Sequence, residues 1–268
     1  MSPLQVAVFG CPRSGTSWLG QLFNAHEAVA YRYQPLFSYE FKDWFGRHGL
    51  SPAALSAFGE ALLAARSAFV LQDLQPPKLP TPSHLVWKEV RYHHLIPALA
   101  AMRPMHRIVY LHRAPVQVIN SWFQAPKEFR PGQDIHEEWQ FAPSKNVDPS
   151  EYNGLAKWKE SMGLALAVQA AWPDRICLVS YERLRADPAG QLARLFAQVG
   201  LPPSAQVQEF VQASTGRHED DAYSVFRTRE LPMRLPADIR DQILADEEAR
   251  SLHERALALS LQAVDQAG

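Results

Sequence analysis

The residues best suited to chemistry near the start of the chain are the cation and hydroxyls of Gly10-Cys11-Pro12-Arg13-Ser14-Gly15-Thr16-Ser17-Trp18. A short apolar run, Val6-Ala7-Val8-Phe9, leads into this stretch, and a helix-like run from Thr16 to Asn24 leads out of it. A strand that ends in Gly-x-x-x-x-Gly and continues into a helix gathers backbone N–H groups and a helix N-terminus around one point, where a phosphate can sit. Loops for ATP or GTP carry Lys directly after the second Gly, where it reaches the β- and γ-phosphates. Here that place is Thr16, and the nearest cation is Arg13, inside the loop. The pattern predicts an anion site other than that of an ordinary nucleoside triphosphatase. Cys11 raises the idea of a cysteine phosphatase, which needs Arg six positions later; that position is Ser17, so the thiol lacks its companion cation.

Two further cations stand where apolar runs end. His84-Leu85-Val86-Trp87-Lys88 reads as a strand that delivers Lys88 to its carboxyl end, and ligands of open parallel sheets bind outside those ends. Arg107-Ile108-Val109-Tyr110-Leu111-His112-Arg113 reads as another, with Pro115 opening a helix that contains Ser121. Arg supplies a planar fork for a terminal phosphate and Ser adds a hydroxyl donor. The elements that must position these groups are β-strands alternating with helices. Strands are expected at 6–9, 28–33, 84–88, 107–112 and 175–180, with helices at 16–24, 51–67, 151–172 and 189–200, which is an α/β pattern. The aromatic run Tyr39, Phe41, Trp44 and Phe45 reads mainly as packing.

Cys11-Pro12-Arg13-Ser14-Gly15-Thr16-Ser17-Trp18-Leu19 resembles the 5′-phosphosulfate loop of sulfotransferases that use 3′-phosphoadenosine 5′-phosphosulfate, where Lys or Arg followed by Ser-Gly-Thr is typical. Arg113 followed eight residues later by Ser121 resembles the 3′-phosphate site of the same family, and Tyr181-Glu182 through Asp187-Pro188 is similar to a segment whose Tyr lies near the adenine side. The resemblance implies a P-loop-like three-layer α/β/α fold with a central, mostly parallel sheet, formed by residues 1–268 as one domain. It implies that Pro12, Arg13, Ser14, Gly15, Thr16, Ser17, Trp18, Arg113, Ser121, Tyr181 and Arg227 hold the donor, that Arg13 and Lys88 are catalytic, that adenosine 3′,5′-bisphosphate is the product, and that no metal is needed.

The chain also departs from the family. Gln34-Pro35 stands where the carbohydrate branch often has Glu-Pro, and Val90 stands where the aryl branch has His. An Arg-Lys-Gly motif is absent, leaving Arg227 and Arg229 as the nearest cations for a loop over the nucleotide. Glu40, Glu89, His93 and His94 are all open as general base, the two histidines reading as capping or surface residues. Residues 125–152 are expected to form a lid over the acceptor and 215–235 a loop over the nucleotide. The tail from Pro236 to Leu261 reads as one amphipathic helix that covers the core.

Composition sets the remaining bounds. The 268 residues are 47% hydrophobic, enough for one core of ordinary size, and the net charge of −1 provides no broad basic field for nucleic acid or a polyanion. The acceptor is therefore expected to be a small molecule or a saccharide. Two cysteines, one in the loop and one in an apolar run, do not make a disulfide framework, and no long apolar stretch or charged leader is present. A cytoplasmic protein without a membrane span is the expectation. Two rival readings remain: an ATP-dependent P-loop kinase with Asp73 as its metal carboxylate, and a nucleotide-binding protein without catalysis.

Overall fold

In this computed structural model, which describes residues 2–72, 76–103, 105–221, 223–226 and 231–260, five strands line up in one sheet. They are β1 (Leu4–Phe9), β2 (Val29–Tyr33), β3 (His84–Glu89), β4 (Met105–His112) and β5 (Ile176–Ser180), in the spatial order β2-β3-β1-β4-β5 with every pair parallel. The central strand is buried on both faces, with Val6, Ala7, Val8 and Phe9 all at 0% exposure. This accounts for its unbroken apolar sequence, since parallel strands covered by helices on both sides do not alternate.

Helices form a layer on each face. On one side, Leu19, Leu22 and Phe23 of α1 (Thr16–Asn24) and Leu192, Leu195 and Phe196 of the helix Pro188–Val199 pack on Val6, Val8, Val86 and Val109. On the other, the helices Pro52–Leu63, Ile96–Ala101, Pro115–Phe123 and Gly154–Ala171 cover Ala7, Phe9, Trp87 and Ile108. Burying each of the larger side chains contributes about 1.5–3 kcal/mol. The architecture is the expected α/β/α sandwich.

The chain leaves β1 for β2 on one side, returns through β3, and then crosses to β4 on the other flank of β1. A crevice opens where connections diverge from neighbouring strands, at their carboxyl ends. Lys88 lies beside Val8 and Tyr33, and Phe9 beside Tyr110, so the ends of β1, β3 and β4 converge there.

Ala68–Leu71, the apolar run before Asp73, is a single helical turn; Asp73 lies outside the described residues. One local expectation is corrected. The tail forms two helices, Ala237–Ala245 and Glu247–Leu259, divided at Asp246. Its carboxylate accepts from the Ala249 N–H at 2.8 Å and pairs with Lys159 at 3.0 Å, so it caps the second helix. The aromatic run is mainly packing, as expected: Phe41 and Phe45 are core residues and Trp44 packs against the core, while Tyr39 is fully exposed.

Candidate active site at the carboxyl edge of the sheet

The loop between β1 and α1 has the shape its glycines require. A Cβ on Gly10 would come within 2.4 Å of the Leu111 carbonyl, so the loop lies directly against β4. Gly15 has a φ of 94°, and a Cβ there would meet the Tyr181 ring at 2.4 Å. Arg13 itself has a φ of 70°, a left-handed conformation that costs a non-glycine residue about 1–2 kcal/mol. Strain of this kind persists where surrounding contacts enforce it.

Those contacts bring the sequence-identified cations together. Arg13 Nε donates to Ser121 Oγ at 3.2 Å, Arg13 Nη1 pairs with Glu128 Oε1 at 3.2 Å, and the guanidinium lies 5.3 Å from the Tyr223 ring centre. Arg113 Nη1 donates to the Arg13 carbonyl at 3.1 Å, its guanidinium sits over the Tyr181 ring at 4.5 Å, and its own carbonyl accepts from Trp158 Nε1 at 3.1 Å. Arg13, Arg113 and Ser121 thus make one cluster. The reason is the sheet: β1 and β4 are neighbours, and adjacent strands lie about 5 Å apart.

Lys88 joins them from the other flank of β1. It is 1% exposed, with Nζ 3.4 Å from Ser17 Oγ on the first turn of α1 and 4.5 Å from the Tyr33 ring centre. Burial pulls its ammonium well below the usual lysine range. The N-terminus of α1 has neither a side-chain cap nor an acidic residue in its first turn. Ser14 Oγ, in the same loop, is buried without a hydrogen-bond partner among the described residues. An anion bound there would satisfy an otherwise orphaned hydroxyl and the end of the helix together.

Trp18 and Tyr181 build a wall beside the loop, ring centres 6.2 Å apart and edge to face, with Trp18 Nε1 donating to Ser214 Oγ at 3.3 Å. Pro12 and Thr16 belong to the loop and the first turn of α1. Arg227 and Arg229 lie outside the described residues.

The four sequence candidates for a base separate clearly. Glu40 is exposed. His94 is exposed beside a cavity of about 180 Å³ lined by Leu36, Asp43, Trp44 and Tyr92. Glu89 follows Lys88 on β3 and so points to the opposite face. Its Oε1 accepts from the Leu36 N–H at 2.6 Å, and burial raises its pKa. His93 is no surface cap: it is fully buried, hydrogen-bonded through Nδ1 to Ser161 Oγ and stacked on Tyr152 with ring centres 4.3 Å apart. Burial lowers its pKa to about 3, which keeps the ring neutral. The Ser161 hydroxyl continues to Tyr110 Oη at 2.5 Å and from there to Cys11 Sγ at 4.0 Å. Burial pushes the Cys11 thiol up to about 11, so it is not a nucleophile at neutral pH.

Sequence reasoning missed Tyr33, Glu128 and Tyr223. Tyr33 was legible as the last residue of a strand, but Glu128 and Tyr223 lie in stretches with no periodicity to place them. Among the described residues no group of three His, Cys, Asp or Glu side chains could hold a metal ion, and no helix is long and apolar enough to cross a membrane.

A model of the sulfotransferase family matches residues 5–205, three quarters of the chain, and the chain belongs to that family. The fold is shared with mouse sulfotransferase SULT7A1 complexed with PAP, at 13% identity and a TM-score of 0.54 over 95% of this chain and 89% of that one. It is shared equally with a sulfotransferase from Alicyclobacillus acidocaldarius, at 14% identity and a TM-score of 0.53 over 97% and 96%. The sulfotransferase domain from the curacin biosynthetic pathway aligns at 16% identity and a TM-score of 0.51 over 97% and 99%. A search of curated protein sequences finds no match.

Proposed function

We propose that this protein transfers a sulfuryl group from 3′-phosphoadenosine 5′-phosphosulfate to a hydroxyl of a small molecule or saccharide. The observation that carries the reading is the convergence of Arg13, Arg113, Ser121 and Lys88 on the uncapped N-terminus of α1. The 5′- and 3′-phosphates of such a donor belong to one ribose, so two adjoining cationic groups suit it better than two remote ones. The PAP complex of the mouse relative supports the same donor class.

In this reading the donor supplies an activated sulfuryl group, and the protein's part is positioning and charge stabilisation. The loop amides from Ser14 to Ser17 and Arg13 hold the 5′-phosphate, which gains negative charge as the sulfuryl group departs. Lys88, beside Ser17, offers an ammonium to the same charge. Arg113 takes the 3′-phosphate, with Ser121 as its neutral companion. Trp18 and Tyr181 flank the adenosine. Residues 125–152 border the acceptor side, since Glu128 of this stretch already touches Arg13. No metal is required by these roles. The near-neutral chain favours an uncharged acceptor over a polyanionic glycan.

Thermal shift with adenosine 3′,5′-bisphosphate and with Mg-ATP tests the donor, and transfer from ³⁵S-labelled 3′-phosphoadenosine 5′-phosphosulfate to a panel of hydroxyl compounds tests the reaction. Stabilisation by the bisphosphate together with label transfer is expected. Stabilisation by Mg-ATP alone would favour a kinase, and binding without transfer to any acceptor would favour an inert nucleotide-binding protein.

A further inference from the structure

The crevice contains an acidic side chain to which the roles above assign no task. Glu128 follows the Ser121 helix on a firmly seated turn: its N–H donates to the Ala125 carbonyl at 2.9 Å, and that of Phe129 to the same carbonyl at 2.7 Å. Ala125 is fully buried, and the Phe129 ring packs edge-on against Trp122 and Phe123 at 5.4 and 5.2 Å between ring centres. The next-door Lys127 N–H donates to Tyr223 Oη at 2.7 Å. The backbone therefore fixes the point from which this side chain reaches into the crevice, the carboxylate lies 3.2 Å from Arg13 Nη1, and its charge also acts on Lys88 and Tyr33.

A carboxylate among the cations of an anion site is a liability for binding, because it repels the phosphates those cations would attract. As a stabilising ion pair it contributes little, since the Arg13 and Glu128 side chains retain 14% and 29% exposure. Its placement calls for a different use. Other acidic side chains near the strand ends are already committed elsewhere: Glu89 caps Leu36 on the opposite face, and Glu182 accepts from the Ala114 N–H and from Ser180 Oγ, each at 2.9 Å.

Building on the sulfuryl-transfer reading, we propose that Glu128 is the general base that receives the proton of the attacking acceptor hydroxyl. A carboxylate has two oxygens with several lone pairs, so it can keep Arg13 and accept from a hydroxyl at once. As the acceptor oxygen forms its bond to sulfur, the bond from sulfur to the 5′-phosphate oxygen breaks and its electron pair leaves with adenosine 3′,5′-bisphosphate. The hydroxyl proton passes to Glu128, which returns it to water after the sulfated product departs.

The test compares wild type, Glu128→Gln, Glu128→Asp and the exposed-site control Glu40→Gln as full-length proteins. Calorimetry measures the affinity for adenosine 3′,5′-bisphosphate, and label transfer measures kcat and KM on an acceptor that wild type uses. Glu128→Gln is expected to bind the bisphosphate as tightly as wild type or more tightly, to lose about 10²–10⁴-fold in kcat with acceptor KM little changed, and to melt normally. Glu128→Asp should recover part of the rate, and Glu40→Gln all of it. A Glu128→Gln enzyme that turns over at the wild-type rate, or that loses bisphosphate binding in step with kcat, would overturn the assignment. Wild type that neither binds the bisphosphate nor transfers label would instead overturn the sulfuryl-transfer reading on which it rests.

Discussion

The two edges of the sheet use cations in opposite ways. At the amino edge, Arg175 donates to the carbonyls of Ala100, Met102 and Met105 at 2.8, 2.5 and 2.5 Å, Lys78 donates to the carbonyls of Asn24 and His26, and His84 and His106 both bond the Val199 carbonyl. At the carboxyl edge, Arg13 contacts a serine hydroxyl and a carboxylate, Lys88 meets a serine hydroxyl at 3.4 Å and an aromatic face, and Arg113 gives one N–H to a single carbonyl, that of Arg13 in the loop, with its guanidinium over the Tyr181 ring. Cations fastened to backbone carbonyls close off helix ends and loops that would otherwise leave acceptors unpaired. Cations held chiefly by other side chains, or by one carbonyl as Arg113 is, keep N–H groups that can turn to a ligand. What surrounds a cation, more than its burial, separates a structural role from a binding one.

Substitutions at the two edges should therefore fail differently. The largest effect is expected from Arg13→Ala, which should lower transfer by about 10²–10³-fold, the usual cost of removing one preorganised donor at a developing charge. Its melting temperature should hardly move, because a partly exposed ion pair contributes less than about 1 kcal/mol. Arg113→Ala should weaken bisphosphate binding about 10–100-fold in calorimetry, the equivalent of a charge-assisted hydrogen bond of about 1.5–3 kcal/mol. Arg175→Ala should do the reverse: denaturant unfolding should show a loss of about 1–3 kcal/mol from the orphaned carbonyls, with bisphosphate affinity unchanged. A weakened affinity in Arg175→Ala like that of Arg113→Ala would erase the distinction between the edges.

The smallest effect is a protonic one. Burial disfavours the charged form of Lys88, so its pKa in the free protein is depressed; a bound anion favours the charged form and raises it. Bisphosphate binding should then take up protons at pH values between the depressed and the raised pKa. Affinity should fall as pH rises through that window. Calorimetric enthalpies in buffers of different ionisation heat would reveal the uptake, and Lys88→Met should abolish it.

Much of this crevice is legible in the sequence because parallel strands deliver their last residues to one place. Lys88 and Arg113 close apolar runs, and Arg13 sits between glycines that only a tight strand-to-helix turn requires. The adjacency of Arg13 and Arg113 was not legible, because it depends on β1 and β4 being neighbours, and strand order is not written in either segment. His93 looked like a surface cap since two consecutive histidines at a helix start carry no burial signal; its place beneath the loop is fixed by Ser161 and Tyr152, far away in the chain. Glu128 was hidden for a similar reason, in a polar stretch where no period separates a site residue from a solvated one. The division of the tail at Asp246 was missed because charged residues on both sides continue a helical pattern, and the carboxylate's capping role is visible only with Ala249 and Lys159 in place.

Everything proposed for the crevice depends on its holding a 5′-phosphate and a 3′-phosphate together. The most direct measurement is calorimetric titration of the wild-type protein with adenosine 3′,5′-bisphosphate and, separately, with adenosine 5′-monophosphate. Binding tighter by about tenfold or more is expected for the bisphosphate, as a charge-assisted phosphate contact requires, with that margin lost in Arg113→Ala. Equal affinity for the two nucleotides would contradict a two-phosphate site.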